Sequence, residues 1–301
     1  MEKEKDYTVP ATILISAIFL SSAWVYTARL KVENVSQNEN VVAVKQTTVS
    51  ALEEKVLPSG GVILPVRWGD LGSKLVGVGV IDKIKFKALY EERGLYSKEY
   101  ETILTGNRKD KLVINKENAG FLLNIFWALG LASKNPILET GEMSDPAYGG
   151  AGNFASTGGW TLAVGSPMDH FSKHKFFILT DTQQALIERV SSGIYRPCCA
   201  NSTHFPDCNH GMAMLGLLEL MASQGASEQE MWKAALAVNS YWFPDTYMTI
   251  AQYMGAKGVD WEDVDPRVVL GADYSSASGY RNIASQVASQ ARPAGGGGCG
   301  V

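Results

Sequence analysis

The chain contains no Cys-x-x-Cys pair. That removes a thioredoxin-type dithiol and a paired zinc knuckle. It contains no Cys-x-x-Cys-His segment, which removes covalent haem attachment. Gly-x-Ser-x-Gly is absent, so the sharp turn that carries a hydrolase serine is missing. His-Glu-x-x-His is absent, so a zinc protease helix is not indicated. The glycine-rich stretch 139–169 lacks both the Gly-Lys-Ser/Thr ending of a phosphate loop and the dinucleotide-binding glycine register, and reads as a surface loop with a short strand at Trp160–Val164. Positive charge is also scarce. A net charge of -4 with no Lys/Arg run gives no face for nucleic acid. Lys83, Lys85 and Lys87 read as a solvated face.

Histidine and cysteine are rare too, four of each in 301 residues, and their distribution is uneven. All four histidines and three of the four cysteines fall between His170 and His210. Few other residue types bind soft metals or exchange disulfides, so this window carries the functional signal.

Within it, Cys208 precedes a helical pattern that starts at His210, with Asn209 read as the cap. A thiol at a helix start meets unpaired N–H groups and the positive end of the helix dipole, which favour the thiolate. His210 and Met214 are four residues apart and share a helix face. Cys198 and Cys199 lie on a proline-stiffened segment that turns back at Asn201-Ser-Thr. His170 and His174 form an i,i+4 pair if their stretch is helical, a frequent metal-binding spacing, though Phe171, Phe176 and Phe177 fit a strand equally well.

Three readings of the cluster follow. The first is a soft-metal site for copper or zinc. Cys198, Cys199, Cys208 and His210 form its core, with His170, His174 and Met214 as supplements. The second is a thiol–disulfide oxidoreductase with Cys208 as nucleophile and Cys199 as partner. The third is a structural or interaction domain in which a Cys199–Cys208 disulfide staples a loop. Cys299 lies in a glycine-rich tail, residues 293–301, and reads as a transfer or resolving thiol on a flexible arm. Its place, third from the end, does not fit a prenylation signal. Acidic pairs such as Glu142 with Asp145 and Glu262 with Asp263 leave glycosidase chemistry as a weaker reading.

Residues 9–28 carry no charge over twenty positions, enough to span the roughly 30 Å hydrocarbon core as a helix. They read as a transmembrane signal-anchor behind a short flank, residues 1–8. A polar stalk, residues 29–60, follows. The body, residues 61–292, is expected outside the cytoplasm, where it would meet a metal or thiol exchange partner. The expected fold is mostly α with a small β contribution, a single globular domain behind the anchor. Helices are expected over residues 181–193, 210–225, 227–243, 245–258 and 276–290, from their spacing and end signals.

Overall fold

The computed structural model describes residues 49–291. The anchor expected over residues 9–28 and the tail cysteine Cys299 lie outside the described residues. Among the described residues no helix is long and apolar enough to cross a membrane.

Residues 52–291 belong to one unit, mostly helical with one two-stranded sheet. A helix over residues 49–56, α1, leads into it. Val56 and Leu57, at its end, are buried in the core, so packed structure begins within the stretch read as stalk.

Strand β1 (Val62–Gly69) alternates buried and open positions, as its sequence does, and Leu64, Val66 and Trp68 face the core. It pairs antiparallel with β2 (Arg108–Ile114), Val62 opposite Ile114 and Ile63 opposite Val113. Leu112 and Ile114 give β2 its buried face; Arg108 to Lys111 are all charged, and little in the sequence marks it as a strand.

Residues 74–93 form the end of α2 (Leu71–Gly77) and α3 (Lys83–Glu92). Asp82 decides the second start, because its side chain accepts the N–H groups of Ile84 and Lys85. Ser97 caps α4 (Lys98–Thr105), its side chain accepting the Tyr100 N–H.

The apolar run after Asn115 forms α5 (Ala119–Ala132), at the centre of the core. The short α6 (Pro136–Thr140) follows. Next come α7 (Asp181–Gly193), α8 (Asn209–Ser223), α9 (Glu228–Trp242) and α10 (Pro244–Ala256). Two short helices, α11 (Pro266–Val269) and α12 (Ala272–Ser275), lead into α13 (Ala277–Ala291).

One helix crossing positions the site. α5 and α8 meet where Gly130 faces Gly216. A Cβ on Gly130 would stand 2.1 Å from Met212 O, and one on Gly216 would stand 2.5 Å from Phe126 O. Both positions therefore require glycine, and the close approach fixes the axis of α8.

The glycine-rich stretch departs from expectation in one respect. Trp160–Val164 is not a strand. Trp160 Nε1 donates to Val80 O, Asp82 N–H to Leu162 O and Val164 N–H to Gly79 O. These bonds tie the segment to the α2–α3 connection and leave no ladder to form.

Candidate thiol and metal site

The site forms where the loop of residues 194–208 returns to the head of α8. Tyr195 bridges to Ser202, and Thr203 N–H donates to Ile194 O at 2.8 Å, so the loop folds back on itself. Its outer edge is held by Ala277 N–H, at the start of α13, donating to Cys199 O at 2.9 Å. From the other side Ser156 N–H donates to Asp207 O at 3.2 Å. Phe205 packs against Tyr148 and Phe154. The glycine-rich stretch thus serves as a wall of this site.

Cys208 itself, and not Asn209, caps α8. Its backbone is extended, and its Sγ accepts the Gly211 N–H at 3.4 Å. Asn209 Oδ1 instead meets the adjacent His210 N–H at 2.9 Å, too local a contact to serve the N2 or N3 amide that a cap must reach.

Beneath the thiols lies Arg196, with no exposed side-chain surface. Its Nε donates to Cys208 Sγ at 3.1 Å. Its Nη2 reaches Cys199 Sγ at 3.2 Å and Asp207 Oδ1 at 2.8 Å. Asn201 Nδ2 holds the other Asp207 oxygen at 2.9 Å. Gly211 makes room for this arginine, since a Cβ there would stand 2.7 Å from Arg196 Cζ. Nη1 of Arg196 is buried with no hydrogen-bond partner among the described residues.

Above the arginine, Cys198 Sγ lies 3.5 Å from Cys208 Sγ. All three cysteines are thiols, with Cys198 exposed and the other two half-buried. Cys198, Cys208 and His210 bring two sulfurs and one imidazole nitrogen within 4.8 Å of one another. Cys199, Asp207 and Cys208 do the same with two sulfurs and a carboxylate oxygen, within 4.8 Å. His210 packs against Phe243, ring centroids 4.4 Å apart, and its Nδ1 is buried without a partner among the described residues.

Charge is unevenly shared. The thiols of Cys198 and Cys199 hold Cys208 far below the ordinary thiol range, and His210 and Arg196 reinforce them against the opposing effect of burial. Cys198 is pushed well above that range by its contacts with Cys199 and Cys208. Within the cluster Cys208 is therefore the sulfur favoured as thiolate, and Cys198 the one favoured as thiol. Two thiolates on a tetrahedral ion with bonds of about 2.3 Å would stand about 3.8 Å apart. The Cys198–Cys208 separation of 3.5 Å is close to that spacing.

The remaining expected ligands lie elsewhere. His170 and His174 are on neither a helix nor a strand. A short 3-10 turn, Pro167–Asp169, precedes them, and Ser172 between them has φ 49°. His170 Nε2 lies 3.1 Å from Val164 O, and its Nδ1 lies 3.3 Å from His174 Nε2. Neutral rings satisfy both contacts if each imidazole donates from Nε2. Burial, with His170 and Lys173 nearby, lowers the His174 pKa, which agrees with that arrangement. Neither histidine joins a three-ligand group among the described residues. Met214 is fully buried in the hydrophobic core.

Two members of the site carry weak sequence signals. Arg196 and Asp207 stand within two residues of cysteines in the segments YRPCC and PDC. That adjacency was their only mark. A cleft of about 600 Å³ near α9, lined by Trp232, Lys233 and Arg267 among others, holds none of the thiols.

Comparison of the chain with protein-family models, curated proteins and solved structures gives no match.

Proposed function

We propose that this chain is a soft-metal-binding protein, with Cys198, Cys208 and His210 as the primary ligands and Cys199 as a further thiolate. The observation that carries the reading is the convergence of two sulfurs and an imidazole nitrogen within 4.8 Å. It is supported by the buried, unpartnered Nδ1 of His210, an orphaned polar atom of the kind that a bound ligand satisfies. Thiolate and imidazole together suit zinc or copper(I). Arg196 and the helix start favour Cys208 as the thiolate that a metal binds, and the buried Arg196 would offset the negative charge of a metal–thiolate centre.

In this reading the body is held at a membrane by residues 9–28 and works outside the cytoplasm. Cys299, on its glycine-rich arm, passes the ion to or from a partner protein bearing thiols.

The test is direct. The full chain, in mild detergent and reduced, is loaded with zinc or copper(I), freed of excess ion, and its metal content measured. About one ion per chain is expected. Cys208→Ser and His210→Ala are expected to lose it while keeping the native circular dichroism spectrum. A reduced, folded wild-type chain that retains neither ion rules the reading out.

A further inference from the structure

The three cysteines are not equivalent, and the difference points to regulation of the same site. Cys199 is fastened. Its sulfur takes a hydrogen bond from Arg196 Nη2 at 3.2 Å and faces Asp207 Oδ1 at 3.7 Å. Its carbonyl is held by Ala277 N–H at 2.9 Å. Cys198, one residue earlier, is exposed, with its sulfur 3.5 Å from that of Cys208. A disulfide needs the two sulfurs at about 2.05 Å, so Cys198 has a short approach to make. Cys199, its sulfur also within 4.8 Å of that of Cys208, would have to leave Asp207 and Asn201 O first. Sequence spacing alone favours Cys199 as the partner of Cys208, but the fold reverses that choice.

We infer that Cys198 and Cys208 form a reversible disulfide clasp that closes the metal site, while Cys199 stays a thiol. The metal-release part rests on the metal-binding reading; the disulfide part does not.

The oxidant class is a low-molecular-weight disulfide, RSSR. The Cys208 thiolate attacks one sulfur of RSSR, forming a Cys208–SR mixed disulfide and expelling RS⁻. The Cys198 thiol then gives its proton to that RS⁻, making RSH, and its sulfur attacks Cys208 Sγ. The Cys198–Cys208 bond forms and a second RS⁻ leaves. The protein loses two electrons and RSSR gains them, so the exchange balances. Closure converts two ligand thiolates into a poor donor pair and leaves His210 and Cys199 too few to hold the ion. Arg196 and the Gly211 amide favour the Cys208 thiolate, and stabilising the reduced form makes a disulfide easier to reduce. The clasp is therefore built to reopen.

The experiment uses the full chain with oxidised glutathione as probe, in metal-free and zinc-loaded samples. Thiols are then alkylated and peptides mapped by mass spectrometry. In wild type a Cys198–Cys208 cross-link is expected, with Cys199 alkylated and zinc released in step with the cross-link. In Cys198→Ser, at an exposed position, oxidation is expected to stop at glutathione on Cys208. A cross-link through Cys199 or Cys299 overturns the clasp. So does a Cys208 adduct that persists in wild type, or a Cys208 that never reacts. Should the metal-free protein form the Cys198–Cys208 bond while the reduced protein holds no zinc, the disulfide pairing stands and the metal reading fails. Should reduced protein hold zinc and lose none on oxidation, the metal reading stands and the clasp fails.

Discussion

Arg196 approaches Cys208 from inside the protein, its Nε 3.1 Å from Sγ and its guanidinium closed off from solvent. A permanent cation in that position favours the anionic sulfur. Arg196→Met removes it. The pH profile of Cys208 alkylation is then expected to move upward by about one unit or more, a tenfold loss in thiolate per unit. Peptide-resolved alkylation across a pH series reads this, and an unmoved profile means that the neighbouring thiols and the helix start suffice.

The same arginine depends on Asp207, 2.8 Å away. Asp207→Ala leaves a buried guanidinium with the Cys208 thiolate as its remaining counter-charge. Removing one partner of a buried pair costs about 3–5 kcal/mol, and the lower end is expected here. Denaturant unfolding of the reduced chain measures it.

Gly211 lies in the first turn of α8, where alanine would ordinarily favour the helix by about 1 kcal/mol. Its Cβ would stand 2.7 Å from Arg196 Cζ. Gly211→Ala is therefore expected to destabilise the protein and to move the Cys208 alkylation profile upward, because the arginine must shift. Stabilisation with an unchanged profile would show that the arginine can move aside without loss.

Glu219, in the middle of α8, provides a pH test remote from the thiols. Its side chain is buried, with Oε1 accepting from Asn135 Nδ2 at 2.6 Å. Burial raises its pKa to about 8, against the opposing effects of Asn135 and Ser133. An unfolded glutamate titrates near about 4.3. Between these values the folded chain binds more protons than the unfolded one, so stability falls as pH rises. The contribution is full below about 4.3 and is lost as pH passes through about 8. Glu219→Gln is expected to remove this slope and to be more stable than wild type above pH 8, as read by unfolding curves at several pH values.

The outlying candidates allow a negative control. His170 and His174 bond to each other, and Met214 is packed in the core. His174→Ala and Met214→Leu are expected to retain the metal that His210→Ala loses. Loss of the ion in His174→Ala would place a ligand outside the thiol cluster.

The helices were legible because their signals are local. Thr180 with Gln183 and Ser227 with Glu230 form capping boxes that start α7 and α9, and the apolar run of α5 announces a core helix. β2 was not legible, because a charged strand with Leu112 and Ile114 inward gains its identity from β1. Trp160–Val164 looked like a strand by composition, yet its hydrogen bonds go to the α2–α3 connection.

At the site, the sequence by itself determined which residues had the chemistry: three cysteines and a histidine around a helix start, in a chain poor in both. Spacing and capping rules carried that much, because they act over a few residues. Tertiary structure decided the grouping. It turned His170 and His174 toward each other, buried Met214, and gave the helix cap to Cys208. It also set the exposed Cys198 3.5 Å from Cys208, and placed Arg196 under the sulfurs through the space left by Gly211. These outcomes depend on the direction in which a folded loop presents each side chain. That direction is fixed by contacts with α13, the glycine-rich stretch and the α5–α8 crossing, tens of residues away in the chain.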